Sequence, residues 1–503
     1  MTYLMGIDNG GTMTKAALFD VEGREIAVAA ENTPLITPRP GYYERDMTLL
    51  WQTNAACIRE VIRKAGVSPR AIAGVGCTGH GKGLYAWGKD GRPACPGIAS
   101  TDRRAAAVVS RWLRDGTAQK ASRFTLQSAL ACQPAALLAW LKEQQPEVYA
   151  NIRWVLACKD YIRFRLTGEA RAERTDYSGS GLMNLQTQDF DRSLLELYHI
   201  GEMYDCLPAL CRSDEYGGGV SREAAGETGL VEGTPVCGGM FDIDACAVAM
   251  DVMQPERLCT ITGTWSINEY PSFTPVQTGL STRNSLFCLP GLYLVEESSP
   301  TSAGNLDWFI RCFMQEEQRQ GIAYKAADAM VETLPAEESP VLFLPYLYGS
   351  HSGEAGAVFA GLSSEHGKAH MLRAIYEGVA YSHWYHIEKL LRHREAPSAI
   401  RMAGGAARSP VWVQMFADVM DSPIEVVSAK ELGALGAAMA AAVCAGVYGD
   451  YRQAAAAMVH LADTVSPDRR RTDIYREKYA RYREWMTNRE DRRHGGESEA
   501  EGV

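Results

Sequence analysis

The sequence lacks the cysteine spacings of a zinc ribbon or of a disulfide framework. It has 13 cysteines, an odd number, in 503 residues. No CxxC occurs, and the closest two cysteines are Cys206 and Cys211. Either kind of site would need paired spacing, so we expect most of the cysteines to be small buried side chains in a reducing compartment.

The chain also lacks a basic excess and a targeting segment. Its 51 basic and 61 acidic residues give a net charge of −10, which argues against nucleic acid as a partner. There is no basic n-region followed by an apolar run at the start. Residues 432–449 carry no charge, but alanine and glycine dominate them and add little transfer energy. We therefore expect a packed interior helix there, no membrane partner and a cytoplasmic protein.

Two common glycine loops are missing, and a third kind of loop is present. The sequence has no GxxxxGK[ST] P-loop, and no helical segment follows its first glycines as a GxGxxG dinucleotide fold requires. Instead, an apolar strand ends at Asp8, passes a turn with Gly11 and Thr12, and returns as a strand after Lys15. Glycine backbone and hydroxyl donors suit a phosphate, and Asp8 beside it implies a divalent cation. An ordinary β-hairpin with a glycine turn is the alternative.

The second half of the chain repeats the plan of the first half. A strand at 257–261, a turn at 262–264 and a return strand at 265–268 echo the opening hairpin. Short apolar runs alternate with amphipathic ones, which predicts a layered α/β fold. We expect an internal duplication, with one phosphate hairpin in each half and a nucleotide gripped between them.

Nine segments in a fixed order, spanning residues 3 to about 448, resemble the FGGY family of carbohydrate kinases within the actin-like ATPase superfold. The resemblance implies an α/β protein with two duplicated actin-like (ribonuclease H-like) ATPase domains around a central cleft. The segments are GIDNGGTMTK (6–15), STDRR (100–104), KDYIRFRLTG (159–168), TDYSG (175–179), GGMFD (238–242), TGTW (262–265), EGVAYS (377–382), GGAARSPVWVQMFAD (404–418) and ELGALGAA (431–438).

The resemblance also assigns domains. We expect an N-terminal sugar-binding kinase domain at 1–252 and a C-terminal nucleotide-binding kinase domain at 253–450. A helical extension at 451–485 and a disordered, highly charged tail at 486–503 complete the prediction.

Asp242 is the predicted catalytic residue. Phosphoryl transfer to a sugar hydroxyl needs a base within hydrogen-bond reach, and a carboxylate can serve. The aspartate that ends GGxxD fills this role in the family, and we expect the glycines before it to let substrate and phosphate approach. A helix N-cap is the alternative role for Asp242, and the two roles are compatible.

The cofactors that the resemblance implies are ATP and Mg²⁺. Asp8 is expected to position the metal, directly or through water. The residues expected to face the nucleotide are Gly11, Thr12, Lys15, Gly263, Thr264, Gly404 and Gly405. The family often has Thr where Gly11 stands, and Thr264 has an ordinary turn residue as its alternative role.

The sugar site rests on fewer residues. GHGKG at 79–83 occupies the family's substrate segment, so Lys82 and His80 are expected to reach the sugar, with solvation as the alternative for Lys82. Asp102 and Arg103 match the family's DRR element, and Ser100 replaces the tryptophan of glycerol kinases. Together with SSPTSAGNLDWF at 298–309, these segments are most similar to the L-xylulose kinase branch.

The predicted function is ATP-dependent phosphorylation of the terminal hydroxyl of a small sugar, such as the ketopentose L-xylulose. Other keto sugars or polyols (erythritol, ribulose, xylulose) stay open as substrates. A non-catalytic actin-like nucleotide switch is the alternative from another class, and it would need no carboxylate at position 242. The sequence leaves a homodimer open.

Overall fold

The computed structural model describes residues 1–263, 265–276, 283–349 and 356–500, with the side chains of 489–500 excepted. Strands and helices alternate along the described chain, as the sequence predicts. The strands are β1 (Tyr3–Asn9), β2 (Met13–Asp20), β3 (Glu25–Asn32), β4 (Glu44–Arg45), β5 (Ile72–Gly79), β6 (Tyr85–Gly88), β7 (Gly97–Ile98), β8 (Ile152–Leu156), β9 (Arg171–Glu173), β10 (Met183–Asn184), β11 (Asp189–Phe190), β12 (Ala209–Cys211), β13 (Tyr216–Gly219), β14 (Pro235–Cys237), β15 (Met240–Phe241), β16 (Leu258–Thr262), β17 (Ser266–Ser272), β18 (Arg283–Leu286), β19 (Tyr293–Ser299), β20 (Leu342–Leu344), β21 (Val358–Ala360), β22 (Ile400–Gly404), β23 (Ile424–Val427) and β24 (Leu461–Val465).

The α-helices range from one turn to nearly nine. They are α1 (Met47–Ala65), α2 (Ala106–Arg114), α3 (Thr117–Thr125), α4 (Pro134–Gln144), α5 (Pro146–Asn151), α6 (Cys158–Thr167), α7 (Arg174–Tyr177), α8 (Arg192–Leu197), α9 (Arg222–Thr228), α10 (Asp242–Ala249), α11 (Gly304–Phe313), α12 (Gln315–Arg319), α13 (Ala323–Glu332), α14 (Lys368–Leu391), α15 (Pro410–Met420), α16 (Leu432–Cys444), α17 (Tyr451–Met458) and α18 (Arg469–Ala500).

The chain divides into two units. The first comprises Met1–Met253, Pro271–Val295 and Ala429–His460, and the second comprises Gln254–Tyr270, Glu296–Ser428 and Leu461–Val503. The first division falls beside the predicted boundary at 252/253. The predicted C-terminal domain at 253–450 differs from the observed units, because residues 429–460 pack with the N-terminal unit.

The C-terminal segment also differs from its prediction. Strand β24 lies within the region predicted as a helical extension, and it pairs antiparallel with β23. Helix α18 runs to Ala500, through most of the segment predicted as a disordered tail.

The sheet of the first unit has the order β13-β14-β5-β1-β2-β3, with β15 also paired to β5. β1 and β2 form the predicted antiparallel hairpin, and β1 runs parallel to β5. In the second unit, β16 and β17 form a hairpin, and β16 runs parallel to β22. Each unit therefore contains the same hairpin-plus-parallel-strand plan, which the echo between the two halves of the sequence predicts.

Helix α16 is the uncharged segment that could be mistaken for a membrane span. It is buried along most of its length against β1 and β5 of the first unit. A Cβ at Gly76 would lie 1.9 Å from the carbonyl oxygen of Ala437, so the sheet meets the helix backbone directly. Val75 and Cys77 point the other way, into the apolar core. No helix in the described part of the chain is both long and apolar enough to cross a membrane.

The cysteines follow their prediction. None of the 13 forms a disulfide, and only Cys312 is exposed.

Two helical glycines should respond to alanine with opposite signs. A Cβ at Gly436 in α16 would lie 2.1 Å from the carbonyl oxygen of Ala245, so Gly436→Ala should cost about 1–3 kcal/mol or more. Gly226 in α9 has no atom within 4 Å of such a Cβ, so Gly226→Ala should add about 0.5–1 kcal/mol. Urea unfolding of both variants measures this. A gain in stability for both would show that α16 tolerates a wider separation from its neighbours.

Candidate active site

Asp8 and Asp242 lie at one edge of the first unit's sheet. β1 and β15 both run parallel to β5, where Asn9 and Phe241 are each partnered with Gly79. Asp8 is therefore the next-to-last residue of β1, and Asp242 directly follows β15 as the first residue of α10. The carboxyl ends of parallel strands are where α/β folds bind ligands.

The glycines of GGMFD shape the backbone before Asp242. Gly239 has φ +76°, and a Cβ there would lie 2.1 Å from the carbonyl oxygen of Cys77. A Cβ at Gly238 would lie 2.0 Å from the carbonyl oxygen of Arg212. The sequence analysis expects these glycines to admit substrate, whereas the structure shows them packed against the protein's own backbone. Their effect on the site is to place Asp242.

A hydrogen-bond chain fixes the same turn from the other side. The Phe241 N–H donates to Thr175 Oγ1 over 2.9 Å, and the Thr175 hydroxyl donates to Glu173 Oε2 over 2.7 Å. Phe241 is the N-cap residue of α10 and makes no side-chain cap bond. Asp242 is thus not the N-cap itself, and its carboxylate is available for other work.

Burial and neighbouring charge raise the pKa of Asp242 well above its usual range. Burial is the main cause, and the carboxylates of Asp8 and Asp176 add to it. The Lys82 ammonium and the Ile243 backbone N–H oppose the shift. Three carboxylates therefore share one region in which Lys82 is the cation that acts on Asp242.

Burial likewise raises the pKa of Asp8 to about 6, with Lys15 lowering it and Glu431 raising it. Lys15 Nζ lies 2.7 Å from Glu431 Oε2, so the predicted phosphate-facing lysine is already paired with a carboxylate. A Cβ at Gly433 would lie 2.6 Å from Asp8 Oδ2, so the start of α16 closes over this carboxylate. Glu431 and Gly433 are further residues of this site, and the spacing of the opening hairpin could not predict them.

The carboxylates of this site suit a weakly bound divalent cation. Among the described residues, no group of three or more His, Cys, Asp and Glu side chains could hold a metal ion. Mg²⁺ is often bound by one or two carboxylates, with waters and substrate phosphates completing its shell. Asp8 and Asp242, mutually repelling carboxylates at one sheet edge, fit that pattern.

The tip of the opening hairpin is exposed, and a buried arginine donates hydrogen bonds to its backbone. Gly11 and Thr12 are exposed, and no atom lies within 4 Å of a Cβ built on Gly11. Arg45 is buried, and its Nη2 donates to the carbonyl oxygen of Gly10 over 3.0 Å and to that of Gly11. Sequence reasoning missed Arg45, because a lone arginine 34 residues after Gly11 carries no local signal.

Lys82 adopts a backbone conformation that residues other than glycine seldom take. Its φ is +61°, which signals a constrained backbone of the kind found at functional sites. Its Nζ lies 5.5 Å from the ring centroid of Phe241, within cation–π range. A Cβ at Gly81 would lie 2.3 Å from the same ring, so the GHGKG turn packs directly on the residue before Asp242.

His80 is turned into the protein. Its Nε2 lies 2.9 Å from the hydroxyl of Tyr85, and its Nδ1 lies 3.3 Å from the carbonyl oxygen of Gly81. Burial lowers the pKa of His80 to about 3, with Arg45 adding to the effect, so the ring is neutral. These contacts give His80 a role in holding the turn, and direct contact with a sugar stays a prediction.

Asp102 and Arg103 differ in burial and in hydrogen bonding. The buried Asp102 carboxylate accepts four hydrogen bonds: one from the Tyr43 N–H (2.7 Å), and three from the backbone N–H (2.8 Å), Nε (3.0 Å) and Nη2 (2.9 Å) of Arg104. Four donors use the capacity of a carboxylate, so the geometry favours a structural role over the predicted sugar contact. Arg103 is exposed, and its backbone N–H donates to the carbonyl oxygen of Gly41 over 2.8 Å.

A buried ion cluster lies beneath the site. Lys159 Nζ is 2.8 Å from Asp160 Oδ1 and 3.3 Å from Glu173 Oε2, and all three side chains are fully buried. Arg163 joins the cluster through Asp160 at 2.8 Å. Asp176 is its outermost acid, with Oδ2 3.7 Å from Lys159 Nζ. Most of the cluster comes from the KDYIRFRLTG and TDYSG segments, and Glu173 lies between them in the sequence.

The second unit brings two of its predicted nucleotide turns together. Gly404 has φ +98°, and a Cβ there would lie 2.5 Å from the carbonyl oxygen of Thr262. The Gly405 N–H donates to the same oxygen over 2.7 Å. Gly263 follows Thr262 directly, so Gly263, Gly404 and Gly405 meet at one sheet edge. Thr264 lies outside the described residues.

The chain matches known proteins along nearly all of its length. Residues 3–249 match the FGGY family of carbohydrate kinases, N-terminal domain, and residues 258–445 match the C-terminal domain of the same family. The chain is 37% identical over 487 residues to the L-xylulose/3-keto-L-gulonate kinase of Escherichia coli, covering 95% of this chain and 96% of that protein. It is 36% identical to a probable L-xylulose kinase of Pasteurella multocida, with 97% and 99% covered.

Solved structures agree with the sequence matches. The crystal structure of xylulose kinase from Rhodospirillum rubrum superposes with a TM-score of 0.87 at 26% identity, covering 98% of this chain and 100% of that one. The mixed α/β units described above are consistent with the actin-like ATPase fold of such kinases, which confirms the predicted fold class.

The raised pKa of Asp8 predicts a pH-dependent stability. The pKa of the Asp8 carboxyl is about 6 in the folded protein, against 3.8 ordinarily. The folded protein therefore loses stability as pH rises through this interval. Asp8→Asn removes the titration, so between pH 4 and 8 it should gain up to about 3 kcal/mol relative to the unchanged protein. Urea unfolding in Mg²⁺-free buffer at several pH values measures the difference. The exposed Asp189→Asn is the control, and an equal trend in both variants would contradict the assignment to Asp8.

Proposed function

Because the chain belongs to the FGGY family of carbohydrate kinases, we propose that it transfers the γ-phosphoryl group of ATP to the terminal hydroxyl of a small keto sugar, with L-xylulose as the first candidate. ATP is the phosphoryl donor of this family, and sugar kinase activity follows from membership. The observation that carries the proposal is the convergence of Asp8, Asp242 and Lys82 at one sheet edge of the first unit.

Asp242 is the proposed general base. Its carboxylate accepts the proton of the terminal hydroxyl while the hydroxyl oxygen attacks the γ-phosphorus and ADP leaves. The raised pKa of Asp242 makes its ionised carboxylate a stronger proton acceptor than an ordinary aspartate. The Thr175–Phe241 hydrogen bond keeps the carboxylate in place, and partial burial limits its contact with water.

Asp8 is the proposed metal-positioning residue, with Mg²⁺ neutralising charge on the phosphates when it is bound. Gly11 and Thr12 at the exposed hairpin tip are the proposed phosphate contacts of the first unit. Gly263, Gly404 and Gly405, which meet in the second unit, are the proposed nucleotide contacts there, and Thr264 stays a predicted one. Lys15 forms an ion pair with Glu431. Its proposed role is to hold the Glu431 carboxylate in place beside Asp8.

The proposed sugar rests on relatives and on Lys82. The two relatives described above are named L-xylulose/3-keto-L-gulonate kinase and probable L-xylulose kinase, at 37% and 36% identity. The Lys82 ammonium can donate to a carbonyl or hydroxyl oxygen of a ketose. We assign His80 and Asp102 to holding the loops of this site, and leave Arg103 as a predicted contact.

An ADP-release assay over ketopentoses, polyols and sugar acids tests the proposal. We expect sugar-dependent ADP formation with L-xylulose or a closely related ketose. ADP formation that is the same with and without every sugar would overturn the proposal.

Asp242→Asn should retain nucleotide binding and lose turnover by roughly two orders of magnitude or more, on the scale of a lost general base. The matched control is Asp244→Asn on the same helix, whose buried carboxylate accepts a hydrogen bond from the Cys288 N–H over 3.0 Å. It should keep turnover within about threefold, since no step uses it. The measurements are steady-state kcat and nucleotide affinity, and near-normal turnover of Asp242→Asn would remove Asp242 from the role of base.

Lys82→Met should move the pH profile. Lys82 lowers the pKa of Asp242, and the base must be ionised to act, so activity rises with pH through that pKa. Removing the ammonium should shift the acidic limb of kcat upward by about 0.5–1.5 pH units. The exposed Lys120→Met is the control for general charge effects. A limb that stays in place, or moves equally in the control, would contradict this coupling.

A further inference from the structure

Asp176 forms part of the wall of a small cavity in the first unit. The cavity has room for about one water molecule or one hydroxyl group, and its polar lining comes from Lys82, Asp176, Tyr177 and Ser180. Asp176 is only 3% exposed, so its carboxylate is largely removed from bulk water. An acid in this position has to find its hydrogen bonds within the protein or from a ligand.

The protein does not supply those hydrogen bonds. Asp176 Oδ2 accepts none from the described residues, and Lys159 Nζ at 3.7 Å is beyond hydrogen-bond distance. By contrast, Glu173 accepts the Thr175 N–H at 3.0 Å and its hydroxyl at 2.7 Å. Leaving a buried carboxylate short of donors is costly, and a ligand hydroxyl would remove that cost.

The charges place Asp176 with the reacting groups. Lys82 lowers the pKa of both Asp176 and Asp242, and Asp176 in turn raises that of Asp242. The three side chains therefore face a common region. A sugar with its terminal hydroxyl at Asp242 would extend its remaining oxygens toward Lys82, which donates, and Asp176, which accepts.

We propose that Asp176 is a specificity-determining residue of the sugar site, whose carboxylate accepts a hydrogen bond from one substrate hydroxyl and disfavours sugars that carry a carboxylate of their own. The inference rests on the proposed function, because it needs a sugar held at Asp242. Three aspartates face the region, so an anionic sugar meets repulsion that a neutral ketose does not.

The test compares Asp176→Asn with Glu173→Gln, a neutralised acid of the same ion cluster that does not line the cavity. The substrates are L-xylulose, its deoxy analogues and 3-keto-L-gulonate, and the assays are run at pH 8.5. Burial raises the pKa of Asp176 to about 7, so the carboxylate is ionised under these conditions. Urea midpoints check that both variants are folded.

For Asp176→Asn we expect kcat/KM for the neutral ketose to fall about 10- to 100-fold, mainly through KM for the sugar, with KM for ATP unchanged. For one deoxy analogue, the unchanged enzyme should show a lower kcat/KM than for L-xylulose. In Asp176→Asn that difference in kcat/KM should disappear. The preference for neutral over carboxylated sugar should fall at least about tenfold. Glu173→Gln should lower activity toward all sugars equally, without changing any ratio.

Unchanged deoxy penalties and an unchanged ratio in folded Asp176→Asn would overturn the inference. If that variant does not fold, Asp176→Ser replaces it, and the unchanged enzyme alone still decides, since equal acceptance of every deoxy analogue contradicts a hydroxyl contact. An enzyme that phosphorylates no sugar would instead overturn the proposed function. The two failures are therefore distinguishable.

Discussion

Backbone contact between helix α16 and the first unit's sheet is the constraint on which the site depends. Gly6 and Gly76 of the sheet leave no room for a Cβ against the α16 backbone, so the strands and the helix meet in direct backbone contact. Gly436 on the same helix meets the backbone of Ala245 in α10 in the same way. The contact with the sheet fixes where β1 and β5 end, and therefore where Asp8 lies. It also brings the start of α16 over the Asp8 carboxylate, because Gly433 has no side chain to keep it away.

Electrostatics then give the site its character. Burial raises the pKa values of Asp8, Asp176 and Asp242, and repulsion from neighbouring carboxylates adds to each shift. Such a cluster destabilises the fold unless a cation or a hydrogen-bonding ligand accompanies it. Lys82 offsets part of the cost from a strained turn, and the family's Mg·ATP and a polyhydroxylated substrate are the partners that would offset more.

The sequence predicts much of this arrangement because its signals are local. The opening hairpin, its echo at β16 and β17, and Asp242 after two glycines can all be read within a few residues. Arg45, Glu431 and the unsatisfied Asp176 could not be predicted, since each acquires its meaning from partners distant in the chain. Asp102 is the opposite case, because its motif can be read locally while four donors from Tyr43 and Arg104, which favour a structural role, come only from the fold. Chain topology, likewise, places residues 429–460 with the N-terminal unit, because a Gly-Ala helix needs a glycine-lined sheet to pack against.

The distribution of acids also bears on substrate choice. A kinase that binds the anionic triphosphate of ATP beside carboxylates already faces strong repulsion, and every further anion at the acceptor end adds to it. A neutral ketose adds none, and its hydroxyls supply the donors that Asp176 lacks. Glu173 carries the same charge a short distance away but is satisfied by Thr175, so it can support the fold without selecting a ligand. Selectivity in this site therefore follows from which buried acid the protein leaves without a donor, rather than from the number of acids present.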